Sequence, residues 1–429
     1  MELPDREGQL RIISIDSVFL HAFHESKKFL KQHFPRDLPF KEFQVDSGVT
    51  GLDKVFDHIK KSSERLSEIE KYYVEGKLTI GAFAELIGKN ALEVFDGLCF
   101  EEKLKIRCAE GRVNEISEAV AHMNNQETIL VPDITTLRLL QQLNLFEKVA
   151  QSFRLHVTPS TFDEINELFS EFKKRKKEGF KSIGSRDGKI YYQEIESHES
   201  ERMTKDVEDL LQFIEIQCNI EAPEYALEVN REDRIEKEKV LGKSYWDSIL
   251  LAKRAGYLLF SEDYLLRQFA WQLHSINSVW TQPVLTKALE EERISESEYV
   301  GSLAILASIG VRPVGYSAET LIFLLRASQW KVDAKSKAIF DLLSGVEGSM
   351  EPSLRLSCQF LYKLYLEPLL PEQRNSLVLY LVSVITKGRN PRLVLKALWE
   401  GVDILFDLHP FAKSEIGSIL DSWAAIHIV

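Results

Sequence analysis

Four short apolar segments alternate with amphipathic helical segments between residues 126 and 282. The apolar segments are ETILVPD, FRLHVTPS, YLLFSED and NSVWTQP. Short apolar runs that are each followed by a helix-length segment are typical of βαβ units, whose strands pair in parallel. This alternation restricts the fold more than any other feature of the chain, and it predicts an α/β domain built on a parallel sheet.

The sequence on either side of this alternation has a different character. Residues 1–125 are mixed and mostly helical, with a helix-turn-helix-like segment at 64–98, and residues 283–429 read as successive helices. A long polar insertion, residues 165–243, interrupts the alternation itself, and its length predicts helices within it. We therefore expect three parts: 1–125, 126–282 and 283–429. The helix starts expected in the last part are Ser295, Ser317, Asp333, Pro371 and Pro391.

The composition excludes several classes of protein. A net charge of −12 opposes non-specific wrapping of nucleic acid, so any such contact must be local. The four cysteines are scattered without a CxxC pair, which favours reduced thiols over disulfides or a zinc site. We see no signal peptide and no apolar run long enough for a membrane helix. We therefore expect a cytoplasmic protein that contacts no membrane.

Four carboxylates occupy related places around the predicted sheet. Asp133, Glu164 and Asp263 follow three of the strands, and Asp247 opens the helix that leads into the third. The carboxyl ends of parallel strands share one edge, where ligand sites collect. Clustered carboxylates repel one another unless a cation neutralises them, and hard oxygen ligands suit Mg²⁺ or Mn²⁺. The pattern predicts a divalent-metal site at this edge.

Helix capping is the alternative interpretation of the same four residues. Side chains of this type at helix starts accept backbone hydrogen bonds and complement the helix dipole. Two neighbouring acids, Asp163 and Glu262, also compete for the second and last positions of the site. The capping assignments would be a capping box for Thr161 with Glu164, another for Ser244 with Asp247, an N-cap for Asp133, and a first-turn position for Asp263.

The segments LVPDITTLRLL, VTPSTFDEINEL, YWDSILLAKRAG and YLLFSEDYLLRQF, in this order, resemble the PIN domain family. The resemblance covers roughly residues 127–280. It implies a Rossmann-like α/β/α sandwich and a nuclease that cuts RNA, or sometimes DNA, with a divalent metal. Asp133, Glu164, Asp247 and Asp263 take the places of the family's acidic quartet.

The chemistry implied is metal-assisted phosphodiester hydrolysis, in which the metal polarises the phosphate and lowers the pKa of a bound water. We assign direct metal contact to Asp133 and Asp247, with Glu164 and Asp263 completing the shell or orienting waters. Thr135 and Ser261 could hydrogen-bond a ligand carboxylate or a phosphate, or could simply cap helices. Unlike the small members of the family, the chain has a very long stretch between the second and third acids.

A basic run, KKRKK, lies in the insertion. It could neutralise a phosphate backbone, or it could be a solvated helix end between acidic segments. A second match to an acidic nuclease strand, Asp16 in RIISIDSVFL, is interpreted as a cap or a coincidence, because no strand–helix series follows it. The basic residues are Lys173, Lys174, Arg175, Lys176 and Lys177.

The segment EKYYVEGKLTIGAFAELIGKNALEVFDGL resembles the small helix-turn-helix antitoxins that accompany some PIN toxins. Its helices should begin after Thr79 and Asn90 and end at Gly76 and Gly88. A second helix that reads DNA needs Arg, Lys, Asn or Gln on its surface, whereas this helix offers ALEVFD. We therefore expect packing or protein docking, and we expect the module to regulate the nuclease domain.

The sequence as a whole predicts a PIN-like parallel-sheet sandwich flanked by helical parts. The expected activity is that of a metal-dependent nuclease whose substrate is RNA rather than DNA. The flanking helical parts are expected to control this activity. The alternative is a PIN-like protein that no longer cuts and instead binds other proteins through its helical parts. Self-association is compatible with either interpretation.

Overall fold

The structure is a computed structural model that describes residues 2–3, 10–11, 49–101, 104–124, 128–175, 180–186, 189–195 and 197–428. Two compact units divide the chain. One consists of Met1–Glu64 with Ile183–Tyr191, and the other of Arg65–Ser182 with Tyr192–Val429. Asp16 lies outside the described residues, so its interpretation stays a prediction.

In chain order the strands of the described residues are β1 (Glu2–Leu3), β2 (Leu10–Arg11), β3 (Ile106–Arg107), β4 (Ile129–Pro132), β5 (Arg154–Val157), β6 (Phe180–Arg186), β7 (Lys189–Ile195), β8 (Cys218–Ile220), β9 (Tyr257–Phe260), β10 (Ser278–Val279) and β11 (Val311–Arg312). The strands that carry the four apolar segments identified in the sequence are β4, β5, β9 and β10, and each is four residues long or less.

Helices make up most of the rest. They are α1 (Val49–Val74), α2 (Ile80–Ile87), α3 (Ala91–Phe100), α4 (Glu115–His122), α5 (Ile134–Gln142), α6 (Phe146–Ser152), α7 (Pro159–Arg175), α8 (Ser197–Gln217), α9 (Arg231–Leu241), α10 (Lys243–Ala252), α11 (Tyr264–His274), α12 (Thr281–Glu290), α13 (Glu296–Ser308), α14 (Ala318–Ala327), α15 (Ala334–Asp341), α16 (Met350–Leu366), α17 (Pro371–Thr386), α18 (Pro391–Leu405) and α19 (Pro410–His427).

Five strands form one sheet in the larger unit, in the order β10-β9-β4-β5-β8. Every neighbouring pair is parallel, as the alternation of strands and helices predicts. The chain starts the sheet at β4, adds β5 and β8 on one side, and then returns to add β9 and β10 on the other. The order therefore reverses between β4 and β9, and the carboxyl ends of these two strands mark the switch point where ligands bind in such sheets. The predicted α/β fold with flanking helices is confirmed.

The insertion contributes more to this fold than the sequence indicated. Residues 165–243 contain the predicted helices, α8 and α9, but they also contain β8, which pairs with β5 as an edge strand of the sheet. The three residues of β8, Cys218–Ile220, are too few to show a period of two, so no strand signal was visible. α8 packs along α7, which places the insertion against the sheet domain.

Five helices after residue 283 begin where the sequence predicts, whereas α16 and α19 begin at Met350 and Pro410, where no start was predicted. Ser295, Ser317 and Asp333 are N-caps, and Pro371 and Pro391 are the first helical residues of α17 and α18. A short parallel pair of strands, β3 with β11, joins this region to the segment before the sheet. No helix among the described residues has the combined length and hydrophobicity that a membrane span needs.

Candidate acidic site at the carboxyl edge of the sheet

Asp133 follows β4 directly at the switch point. Its backbone N–H donates to the Phe260 carbonyl at the end of β9, at 3.0 Å. Its carboxylate caps α5, where Oδ1 accepts from the Thr136 N–H at 2.7 Å and from Thr135 Oγ1 at 2.8 Å. The side chain is 0% exposed, and Oδ2 has no hydrogen-bond partner. Burial raises the pKa of Asp133, because the charged form is deprived of water.

Asp263 lies beside Asp133, at the end of β9. It is the N-cap of α11, and its Oδ1 accepts from the Leu266 N–H at 3.1 Å. Its Oδ2 accepts from the Ile80 N–H at 2.6 Å, although Ile80 is 183 residues away in sequence. Burial, opposed by these amide hydrogen bonds and assisted by the charge of Asp133, raises the pKa of Asp263 to about 6. The first-turn position expected for Asp263 is therefore the cap itself.

Glu164 does not belong to the capping box predicted with Thr161. The helix α7 begins earlier, at Pro159, because Thr158 Oγ1 accepts from the Thr161 N–H at 3.2 Å. Glu164 thus lies in the second turn, where its carboxylate accepts from Ser244 Oγ at 2.5 Å and from the Ala91 N–H at 3.4 Å. Its sequence neighbour, the competing candidate Asp163, is exposed. Glu164 is consequently the acid of this pair that faces the edge.

The capping box predicted for Ser244 with Asp247 is also wrong. Gly242 occupies the N-cap of α10, with no side-chain cap, and Ser244 donates to Glu164 instead. Asp247 is buried on the same helix, and its Oδ1 lies 3.5 Å from Arg234 Nη2 of α9. Burial raises the pKa of Asp247 while the positive charge of Arg234 opposes that rise.

The electrostatic effects show which of the four carboxylates lie together. Burial raises the pKa of the Tyr245 hydroxyl, and the charges of Asp133, Asp263 and Glu164 raise it further. The charges of these three carboxylates therefore all act on Tyr245, whereas Asp247 lies next to Arg234. Within the part of the chain that the structure describes, no group of three or more His, Cys, Asp or Glu side chains is arranged to hold a metal ion.

Residues 131–271 match the model of a family described as the PIN domain associated with the TPR-GreAB-C-PIN system. This part of the chain is a PIN domain. The matched residues run from β4 to α11 and include all four carboxylates, so the resemblance seen in the sequence is confirmed for this region. No significant match was found among curated proteins or among solved structures. The antitoxin-like interpretation of residues 64–98 stays a prediction.

Glu262, the competitor for the last acidic position, is a further buried acid at the edge of the PIN domain. Its Oε1 accepts from the Thr281 N–H at 2.5 Å, at the start of α12, and its Oε2 has no hydrogen-bond partner. Burial raises the pKa of Glu262 to about 7, although the Thr281 hydrogen bonds and the positive charge of Arg267 oppose this rise, and the charge of Asp133 adds to it. The two adjacent acids therefore contact different helices. Glu262 accepts a hydrogen bond from the start of α12, and Asp263 accepts one from the start of α2.

The two supporting residues bind groups of the PIN domain itself. Thr135 donates to Asp133, as described above, so it contacts a carboxylate, which is one of the alternatives that the sequence left open beside contact with a phosphate and simple capping. Ser261 accepts from the Asp263 N–H at 3.0 Å and is fully buried. The Thr135 hydroxyl therefore orients the Asp133 carboxylate, and the Ser261 hydroxyl holds the backbone at Asp263 and lowers the pKa of the Asp133 carboxyl.

The basic run lies at the other end of α7. Lys173 follows Glu164 by nine residues, which is about 13 Å along a helix. The side chains of Lys173 and Lys174 are exposed, and Lys173 Nζ is 5.6 Å from the centre of the Phe169 ring. The side chain of Arg175 and the whole of Lys176 and Lys177 lie outside the described residues, so their contact with nucleic acid stays a prediction.

Helices α2 and α3, residues Ile80–Phe100, cover the acidic edge of the PIN domain. Thr79 and Asn90 cap the two helices and Gly88 ends the first with φ 66°, as predicted. α2 packs closely on the PIN domain at Gly81, where an added Cβ would lie 2.0 Å from the Leu241 carbonyl oxygen and 2.5 Å from a ring carbon of Tyr245. Only glycine fits this contact without displacing α2.

Proposed function

We propose that the chain is a divalent-metal-dependent nuclease that hydrolyses phosphodiester bonds and prefers RNA to DNA as its substrate. Membership of the PIN domain family supports a nuclease. The observation that carries the proposal is Asp133, a buried acid at the switch point whose Oδ2 accepts no hydrogen bond of normal geometry, although the Ser261 hydroxyl lies close enough to lower the pKa of the carboxyl. A buried carboxylate oxygen without a hydrogen-bond partner lowers the stability of the fold. Such atoms are commonly found in proteins where the atom has a function.

The donor set agrees with Mg²⁺ or Mn²⁺, the proposed cofactors, because carboxylate oxygens are the ligands that hard cations prefer. The arrangement does not surround a single cation, because Asp263 and Glu164 accept from backbone amides and Asp247 faces Arg234. We therefore propose a second form of the protein, in which the backbone amides and Arg234 have moved away from the carboxylates. In that form Asp133, Glu164, Asp247 and Asp263 are the metal ligands.

Incubation with labelled single-stranded RNA and DNA, in the presence of Mn²⁺ or of EDTA, tests the activity. We expect cleavage that requires the metal and is lost in Asp133→Asn. Asp333→Asn is the matched control, because Asp333 is also an N-cap whose Oδ1 accepts a backbone N–H, at 2.9 Å. Asn caps helices as well as Asp does, so both variants should fold and only the first should be inactive.

The second candidate is a PIN-like protein that binds partners without cutting. Exposed apolar side chains at the junction of α18 and α19 favour it, since Leu408 in the turn is 87% exposed and Phe411 in the first turn of α19 is 92% exposed. The family description names a system that combines the PIN domain with a TPR component, and we propose a protein partner for the helical parts in either case. Absence of cleavage by the wild-type chain and by Gly81→Ala would favour this second function.

A further inference from the structure

We propose that helices α2 and α3 form an intramolecular plug that holds the acidic edge closed against metal and substrate. This inference rests on the proposed nuclease function, because it concerns the regulation of the same site. The plug is defined as residues Ile80–Phe100, which lie before the PIN domain in sequence and against its acidic edge in space.

The plug binds two of the four carboxylates through the amino ends of its helices. The Ile80 N–H, the first of α2, donates to Asp263 Oδ2 at 2.6 Å. The Ala91 N–H, the first of α3, donates to Glu164 Oε1 at 3.4 Å, and the Asn90 side-chain amide donates to the Glu164 carbonyl at 3.3 Å. Amides at helix starts have no partner within the helix and carry a partial positive charge. They therefore place positive charge against the carboxylate oxygens that a cation would use.

The plug also packs closely against the PIN domain next to the carboxylates that it binds. At Gly81 the backbone of α2 lies against the last residue of α9, Leu241, and against the Tyr245 ring. Tyr245 is the residue whose hydroxyl is acted on by the charges of Asp133, Asp263 and Glu164. The plug thus closes over the centre of the acidic group, and α9 closes it from the side by placing Arg234 at Asp247.

An ion pair away from the acids anchors the plug. Asp96 of α3 accepts two hydrogen bonds from the Arg138 guanidinium of α5, each at 3.0 Å, and one from Gln142 at 3.1 Å. Arg138 also lies 4.0 Å from Asp206 of α8, outside the plug. Bidentate pairs of this kind fix orientation as well as adding energy. The anchor can therefore be weakened without altering any of the four carboxylates.

The decisive experiment compares Gly81→Ala with Gly97→Ala in the full chain. The added methyl at position 81 would force α2 away from the PIN domain, whereas a Cβ at position 97, on α3, would have no neighbour within 4 Å. We expect Gly81→Ala to raise Mn²⁺-dependent cleavage of single-stranded RNA at least tenfold, and Gly97→Ala to stay within twofold of wild type. Hydrogen exchange of the peptide spanning residues 79–92 should accelerate in Gly81→Ala alone.

A second pair of variants covers the case in which Gly81→Ala does not fold. Asp96→Ala removes the anchor from the plug side, and Asp206→Ala removes the other acidic neighbour of Arg138 while leaving the plug intact. We expect increased cleavage and faster exchange in Asp96→Ala only. Measurable wild-type cleavage that neither Gly81→Ala nor Asp96→Ala increases would overturn the plug. Faster exchange without cleavage in any variant would overturn the nuclease function, and the inhibitory role would fall with it.

Discussion

At the scale of single residues, Glu262 gives the sharpest prediction. Its pKa is raised from 4.5 to about 7 by burial, so folding favours the protonated form. Stability gained from that proton is complete below pH 4.5 and is lost as the pH rises through 7. Glu262→Gln, which is neutral throughout, should increase the free energy of unfolding by roughly 2–3 kcal/mol at pH 8, with no gain near pH 4.5. Urea denaturation at both pH values measures this difference.

Glu115→Gln is the control for that measurement. Glu115 is also buried, but its carboxylate accepts backbone N–H groups from Glu110 at 3.1 Å, Gly111 at 2.9 Å and Arg112 at 3.2 Å. Because charged acceptors form stronger hydrogen bonds, this substitution should lower the free energy of unfolding at pH 8 by about 1 kcal/mol. If Glu262→Gln instead lowers the free energy of unfolding at pH 8, the prediction for Glu262 is wrong, and the negative charge of Glu262 is compensated by other groups in the fold.

The sequence predicted the position of individual acids better than their local contacts. Asp133 and Asp263 follow apolar strands, and position alone places such residues at the edge of a parallel sheet. The capping boxes expected for Glu164 and Asp247 failed because their helices start earlier, at Pro159 and Lys243. The Glu164 carboxylate instead accepts from side chains and amides that are distant in sequence, which local patterns do not encode.

At the scale of elements, α9 stabilises the buried Asp247 through Arg234. Arg234→Ala would leave a carboxylate whose side chain is 6% exposed without its cation, so the pKa of Asp247 should rise further. We expect the free energy of unfolding to fall by about 1 kcal/mol at pH 8, since Arg234 is partly exposed, and by less at lower pH, as Asp247 becomes protonated. Arg231→Ala, an exposed position on the same helix, should leave both values unchanged.

Strong apolar periodicity and clear caps made most elements predictable. The strands β4, β5 and β9 and the helices α2 and α3 were expected from such signals, and the structure contains them. The edge strand β8 and the pair β3–β11 were not expected, because strands of two or three residues carry no period of their own. Their pairing depends on contacts between segments far apart in sequence. The short strand β10 was expected only because strands and helices alternate before it, and β6 and β7, of seven residues each, were not expected in the polar insertion.

At the scale of the whole molecule, the predicted boundary at residue 283 can be tested by truncation. The β3–β11 pair is formed by the Ile106 N–H with the Gly310 carbonyl at 2.9 Å and the Cys108 N–H with the Arg312 carbonyl at 2.7 Å. A chain ending at residue 282 loses this pairing and the buried apolar face of α12. We expect it to aggregate or to lose cooperative thermal unfolding, as measured by gel filtration and circular dichroism.

A chain ending at residue 409 provides the comparison, because it lacks only α19 and retains the β3–β11 pair. It should stay monodisperse and unfold cooperatively at a lower temperature. A cooperative, monodisperse chain ending at 282 would instead establish the first two predicted parts as independent of the helical region.

The central claim is that the same carboxylates bind either the plug or a divalent cation. Hydrogen exchange of the wild-type chain with increasing Mn²⁺ tests this competition most directly, because a cation on the Asp263 carboxylate would be repelled by the partial positive charge of the α2 amino end, where the Ile80 N–H donates to Oδ2 at 2.6 Å. We predict that Mn²⁺ accelerates exchange at Ile80 and Ala91 about tenfold, which corresponds to about 1.4 kcal/mol, and that Asp133→Asn lacks this response. Unchanged exchange at both amides under saturating Mn²⁺ would contradict the account.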